Sequence, residues 1–311
     1  MTELPAADRF SDGADDNPYW NENSWFSVSI PERGIHGLIQ HFFRPNMGLL
    51  NGGPVLWDRT GTTQWNCLYY NWSHLQAIPD GAGKFEVTAR NSLSVKVVEP
   101  LRRYKIDYDR DGFRMDLLWE AVGPHHRMET GDPDQAKTAA YHIEQPGRMT
   151  GTIRRGSELY PIDCWSMRDC SSGPYDTEHW PTGGYFWGIG ESGSFLTLCI
   201  GKAREVQTMG GFLMRDGVMA SLASGKRTVL EYGHFGPSRV VFEGTDTMGR
   251  QITATGIIEP GLVFTGYTDH TVVWSLEKWD VAGETYWGDN QEFYPAEVFR
   301  RIARGKIKLG A

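Results

Sequence analysis

The chain has 311 residues, enough for one large domain or two ordinary ones, and either can bury a core without disulfides or metals. Its 31 Lys and Arg against 39 Asp and Glu leave a formal charge of −8, which argues against nucleic acid and membrane as partners. Four cysteines without a C-x-x-C pair, an acidic polar opening and no run of about 18 apolar residues suit a cytoplasmic protein with reduced thiols.

Trp 12, Tyr 13 and Phe 14 make 13% of the chain, beside 37 glycines, a balance that suits rings packed across sheets with tight turns between strands. In chain order, the first ring-rich stretches are Asn17–Phe26 (NPYWNENSWF), Gln40–Asn46 (QHFFRPN) and Gln64–His74 (QWNCLYYNWSH). Trp65, Tyr69, Tyr70 and Trp72 are too many rings for one ordinary strand face, and stacking on a flat or apolar ligand would explain them. Core packing remains the commoner fate of any single ring. Glu22, Arg44 and His74 lie in this aromatic setting. Buried there, Glu22 would have a raised pKa and serve as a general acid.

Period-two alternation then marks strands. Phe85, Val87 and Ala89 alternate with polar residues, as do Tyr104, Ile106 and Tyr108, and then Phe113, Met115, Leu117 and Trp119. Between the last two runs, Asp109–Gly112 carries the Asp-Gly signal of a tight hairpin. Residues 132–145 fit a short helix or an ordered loop. The polar, glycine-containing stretch Pro146–Gly156 divides the chain into 1–150 and 151–311, each the size of one barrel.

The densest group of ionisable residues follows in Ile162–Trp180, with Asp163, Arg168, Asp169, Tyr175, Asp176, Glu178 and His179. An Arg beside an Asp can hold the carboxylate ionised, and Tyr175 or His179 could supply the opposing acid. Arg168 and Asp169 could equally lock a loop in place. Gly188–Gly193 matches G-x-G-x-x-G, but the strand-like SFLTLCI follows where a dinucleotide site needs a helix, so a hairpin turn is expected. Val272, Trp274 and Leu276 alternate with polar residues or Val, and Pro295–Lys306 reads as a helix, with Pro in its first turn and basic residues at its end. The nine histidines show no chelating spacing; His36 and His41 fall on opposite strand faces, and no metal is expected.

Three segments carry a family resemblance: Glu22-Asn23-Ser24-Trp25-Phe26, Phe43-Arg44-Pro45-Asn46 running on to Gly52-Gly53, and Arg168-Asp169-Cys170-Ser171-Ser172-Gly173-Pro174-Tyr175. Together they resemble the carotenoid hydratase-like (AttH/CrtC-like) tandem-lipocalin proteins, in particular a bacterial branch of them. The resemblance implies an all-β fold of two lipocalin-like antiparallel barrels side by side, with a short C-terminal helix. It also implies hydration, cyclisation, isomerisation or lyase chemistry on hydrophobic substrates, without an organic cofactor. Arg168 and Asp169 match the second-barrel signature. Cys170, Ser172 and Tyr175 stand where it has His, Trp and Arg, which puts carotenoid hydration itself in doubt.

The expectation is therefore a cofactor-independent acid–base lyase, hydratase or isomerase acting on a hydrophobic aromatic or terpenoid molecule. Retro-aldol-type loss of a hydroxymethyl group from a lignin-derived dimer is one version, which no residue selects. Asp169, Arg168, Tyr175, His179 and Glu22 are the candidate catalytic residues. Trp65, Tyr69, Trp72, His74, Arg44, Tyr104, Trp119 and Trp187 are candidate substrate contacts. A homodimer is compatible with the chain. The rivals are a non-catalytic lipocalin-type carrier, whose cavity would hold few convergent ionisable groups, and a carbohydrate-binding sandwich with an open aromatic groove.

Overall fold

The computed structural model describes residues 8–11, 16–128, 141–174, 181–201, 203–267 and 269–310. The chain opens with a meander of β1 (Trp20–Ile30), β2 (Ile35–Arg44) and β3 (Leu49–Trp57). Each of its two turns starts at a proline and closes on a left-handed glycine, Gly34 (φ 62) and Gly48 (φ 64), a conformation that costs glycine no Cβ clash. Two short strands, β4 (Tyr69–Tyr70) and β5 (Ser73–Ala77), pair with β3. Then come β6 (Glu86–Thr88), β7 (Ser94–Glu99), β8 (Arg103–Arg110) and β9 (Phe113–Ala121). The β8–β9 turn has Asp111 at φ 53 and Gly112 at φ 77, the type I′ geometry that the Asp-Gly pair signals. After β10 (His126–Arg127), the long β11 (Tyr141–Arg155) and β12 (Glu158–Pro174) complete a sheet ordered β4-β3-β2-β1-β12-β11-β9-β8-β7-β6.

The sheet wraps one core, in which Phe26, Phe85, Tyr104 and Trp119 meet. Tyr69, on β4 at one end of the sheet, crosses to β9 and β8: its ring stacks on Phe113 at 3.9 Å and its hydroxyl lies 2.6 Å from that of Tyr108.

The second sheet contains β13 (Gly183–Ile189), β14 (Gly193–Ile200), β15 (Glu205–Arg215), β16 (Val218–Tyr232) and β17 (Pro237–Asp246). It continues through β18 (Gln251–Ile258), β19 (Leu262–Phe264), β20 (His270–Val281) and β21 (Glu284–Pro295). Pairing of β18 with β20 closes it into an antiparallel barrel around Phe186, Phe195, Phe242 and Trp279. The G-x-G-x-x-G match is the β13–β14 hairpin, as expected. Helix α1 (Ala296–Ala303) follows Pro295 directly and buries Ile302. No helix among the described residues is long and apolar enough to cross a membrane.

The changeover between sheets falls between Pro174 and Gly183, later than the Pro146–Gly156 stretch that reads as a divide. Residues 146–155 of that stretch lie inside β11, where Gly147 and Gly151 serve close approach, and Gly156 (φ 57) turns the chain into β12. A Cβ on Gly147 would stand 2.3 Å from the Trp119 ring, and one on Gly151 would stand 2.1 Å from the Asp116 carbonyl oxygen. Of the expected helix or loop at 132–145, residues 141–145 are strand, and the rest lies outside the described residues.

A third core joins the two sheets. Because strand side chains alternate, β1 sends Phe26 and Val28 into the first barrel and Trp25 outward. Trp25 stacks on Trp274 of β20 at 5.7 Å, and Trp57, Trp72, Met167 and Trp187 pack in the same cluster. His36, on the outward face of β2, reaches Asp289 of β21 at 3.3 Å, whereas His41 points into the first barrel.

Candidate active site at the barrel junction

Strand register places the ionisable residues of the junction. In one cross-strand row, Glu144 of β11 faces Asp169 of β12, which faces Trp25 of β1, which faces Gln40 of β2. In the next row toward the strand ends, His142, Ser171, Asn23 and Phe42 stand in the same order. Two carboxylates directly opposite each other repel, and the register forces that opposition on Glu144 and Asp169.

His142 relieves it. Its Nε2 lies 2.9 Å from Glu144 Oε1 and 2.6 Å from Asp169 Oδ2, so one imidazole nitrogen serves both carboxyl groups. Burial pushes the imidazole pKa down, but the charge and hydrogen bond of Asp169, with those of Glu144, outweigh it and raise the pKa to about 10. Burial, then repulsion from Asp169, push the Glu144 carboxyl up to about 8 against the pull of His142. The cluster thus holds a protonated imidazole beside a carboxyl group poised to give or take a proton near neutrality.

Asp169 is further held by the amide of Asn23, which donates to Oδ1. Gln40 Nε2 donates to Asn23 Oδ1 at 2.6 Å, and the Tyr267 hydroxyl reaches Gln40 Oε1 at 3.4 Å. Each amide donates to one neighbour and accepts from the other, so the chain has one consistent direction. From the second barrel, Tyr185 of β13 faces the cluster. Burial and then the charges of Glu144 and Asp169 keep its phenol protonated far above the usual range. Its hydroxyl and Glu144 Oε2 are both buried and close no hydrogen bond. Glu144 is fully buried, whereas the His142 side chain keeps 29% exposure and that of Asp169 15%, so these two are the accessible members.

The same three residues have the composition of a metal site, with donor atoms within 4.8 Å of one another. Two ligands ~2.1 Å from a tetrahedral ion stand about 3.4 Å apart. The separations of 2.6 and 2.9 Å at His142 Nε2 are those of hydrogen bonds and fit a shared proton.

Of the sequence candidates, Asp169 lies in this cluster, and Trp72 and Trp187 lie in the junction core beside it. Arg168 does not hold Asp169, as sequence adjacency suggests, because neighbours on a strand point to opposite faces. It is buried in the first barrel, sandwiched 4.5 Å from the rings of Phe85 and Tyr104, and bonded to Asp8 Oδ1 at 2.5 Å and Gln145 Oε1 at 2.9 Å. Glu22 is also inside that barrel, and the general-acid expectation is corrected. Burial alone would raise its pKa, but Lys84 Nζ at 2.6 Å and Ser172 Oγ at 2.7 Å outweigh it and hold the pKa below the ordinary value. Tyr104 and Trp119 pack the same core. Trp65 is 88% exposed, and His74 is exposed too, so neither lines the junction. Tyr69 stacks on Phe113 in the first barrel, and Arg44 lies 4.8 Å over the Phe42 ring at the strand end. Tyr175 and His179 lie outside the described residues.

Sequence reading missed His142, Glu144, Asn23, Gln40, Tyr185 and Tyr267. His142 and Glu144 do share a strand face at a spacing of two, a signal hidden by reading residues 132–145 as helix or loop.

Solved structures share this fold. An AttH-like protein of Nitrosomonas europaea is 11% identical, with a TM-score of 0.57 over 94% of this chain and 99% of its own. Kievitone hydratase of Nectria haematococca is 10% identical, with a TM-score of 0.58 over 95% of this chain and 96% of its own. CghA, solved with Sch210972, is 8% identical, with a TM-score of 0.51 over 94% of this chain and 97% of its own. The resemblance to carotenoid hydratase-like tandem-lipocalin proteins therefore holds in the fold. No curated protein matches the chain in sequence. Residues 5–288 match the family described as Domain of unknown function (DUF7064), and the chain belongs to that family.

Proposed function

We propose that the chain is an acid–base enzyme of the hydratase, lyase or isomerase type, acting on a hydrophobic aromatic or terpenoid molecule at the barrel junction without an organic cofactor. The observation that carries this reading is the shared nitrogen, His142 Nε2, at 2.9 Å from Glu144 and 2.6 Å from Asp169. A carrier has no use for three convergent ionisable groups, each of which costs free energy to desolvate. Kievitone hydratase, whose name states hydration, has the same fold.

In this scheme Asp169, positioned by Asn23, takes a proton from the substrate. Glu144, protonated near neutrality but fully buried, gives one by way of the accessible His142, whose own proton goes to the departing oxygen as a C–O bond breaks. His142 Nε2 then passes its proton to Glu144 and takes the one held by Asp169, which restores the starting state. Hydration is the reverse sequence.

The test is a screen of the purified protein, with no added cofactor, against hydroxylated and ether-bearing aromatic and terpenoid compounds, followed by mass spectrometry. Turnover is expected, and Glu144→Gln and Asp169→Asn should each lower kcat by about 10²–10⁴ while ligand binding persists. Ligand binding without turnover across the panel, or turnover indifferent to both substitutions, overturns the proposal.

A further inference from the structure

The second barrel holds a cavity of about 170 Å³, lined by none of the residues of the junction cluster. Its buried polar lining is Arg227, Glu292 and Thr182, which are 3%, 4% and 8% exposed, with Tyr294, whose hydroxyl donates to the Phe235 carbonyl oxygen; half-buried Tyr232 and exposed Lys308 also line it. Val229, Ile302 of α1 and Leu309 supply apolar walls. The cavity thus has the composition of a small-molecule site, mostly apolar with a few convergent polar groups.

The polar groups are incompletely matched. Arg227 Nη1 donates to Glu292 Oε1, but Nη2 stands 3.5 Å from Oε2, a loose contact. Arg227 Nε and Thr182 Oγ1 are buried without a partner. Buried polar atoms are nearly always satisfied, so each such group needs an explanation. The ion pair also sets the sign of the ligand. An anion would meet buried Glu292 and a cation would meet Arg227 and Lys308, the latter exposed and solvated, whereas a hydroxyl can accept from the guanidinium and donate to the carboxylate or to Thr182. Size gives the remainder, since a cavity of roughly 150 Å³ accommodates benzene.

We infer that this cavity is a second binding site, for a neutral hydroxylated ring of about phenol size. The hydroxyl sits among Arg227, Glu292 and Thr182, and the ring lies against Val229, Ile302 and Leu309. The site is separate from the junction, and its occupancy does not depend on the chemistry proposed there.

The experiment titrates phenol into the full chain and follows the methyl resonances of Val229 and Ile302. Saturable shifts are expected, with toluene, benzoate and benzylamine each weaker by about tenfold, the equivalent of one hydrogen bond. Thr182→Val should weaken phenol by a similar factor while leaving the cavity its size, and Val229→Phe should abolish binding by filling it. Far-UV circular dichroism verifies that each variant is folded, and Thr182→Val decides the matter if Val229→Phe is not. Shifts that fail to saturate, equal affinity for toluene or benzoate, or unchanged phenol affinity in Thr182→Val overturns the inference.

Discussion

At the scale of single residues, burial alone does not tell a catalytic carboxyl from a structural one; the partners do. Glu22 and Glu144 are both buried, yet Glu22 faces the Lys84 ammonium and stays ionised, while Glu144 faces another carboxylate and is pushed toward the neutral acid. Replacing Lys84 by Met should strand an uncompensated charge in the first barrel and cost about 3–5 kcal/mol in urea denaturation, the usual penalty for halving a buried pair. His142 makes a pH prediction of definite sign. Its folded pKa is raised from 6.5 to about 10, so its contribution is whole below about 6.5 and is lost as pH rises through about 10. Thermal midpoints should fall across that window in the native protein and fall less steeply in His142→Gln. Equal slopes in the two proteins would contradict the pairing.

At the scale of elements, alternation along β11 and β12 decides which residues can act together. Asp169 was legible as a candidate from its dense, ionisable surroundings, but its neighbour Arg168 was read as its partner because sequence adjacency does not show strand faces. Once β12 is a regular strand, the two must diverge, and the true partners come from β11 and β1 across the sheet. The hairpin at Asp111–Gly112, the turn at Gly188–Gly193 and the C-terminal helix were all legible, because each rests on local backbone chemistry. The Pro146–Gly156 stretch misled for a related reason: glycine also serves ring packing, which depends on a distant strand. Gly147→Ala would place a methyl 2.3 Å from the Trp119 ring. It should destabilise the protein by about 1–3 kcal/mol as an overpacking change, measured by the same urea titration; no loss would mean that β11 and β9 can separate there.

At the scale of the whole molecule, most of the aromatic surplus divides among three large cores, two inside the barrels and one between them, with smaller clusters around Phe43 and Tyr294. The inner cores absorb rings such as Tyr104, Trp119 and Trp279, which do structural work, while Trp25, Trp57, Trp72, Tyr185, Trp187 and Trp274 are among those in the core between the barrels. Composition could announce the surplus but not its division, since that requires knowing that the two barrels meet along the faces of β1, β2, β20 and β21. Beside this meeting, His142, Glu144 and Asp169 form a proton-sharing cluster. That sharing is tested most directly by an NMR pH titration of the His142 imidazole in the native protein and in Asp169→Asn. The imidazole should still be protonated at pH 8 in the native protein, with a titration point well above 6.5 that drops in the variant. Titration near 6.5 in both proteins would contradict it.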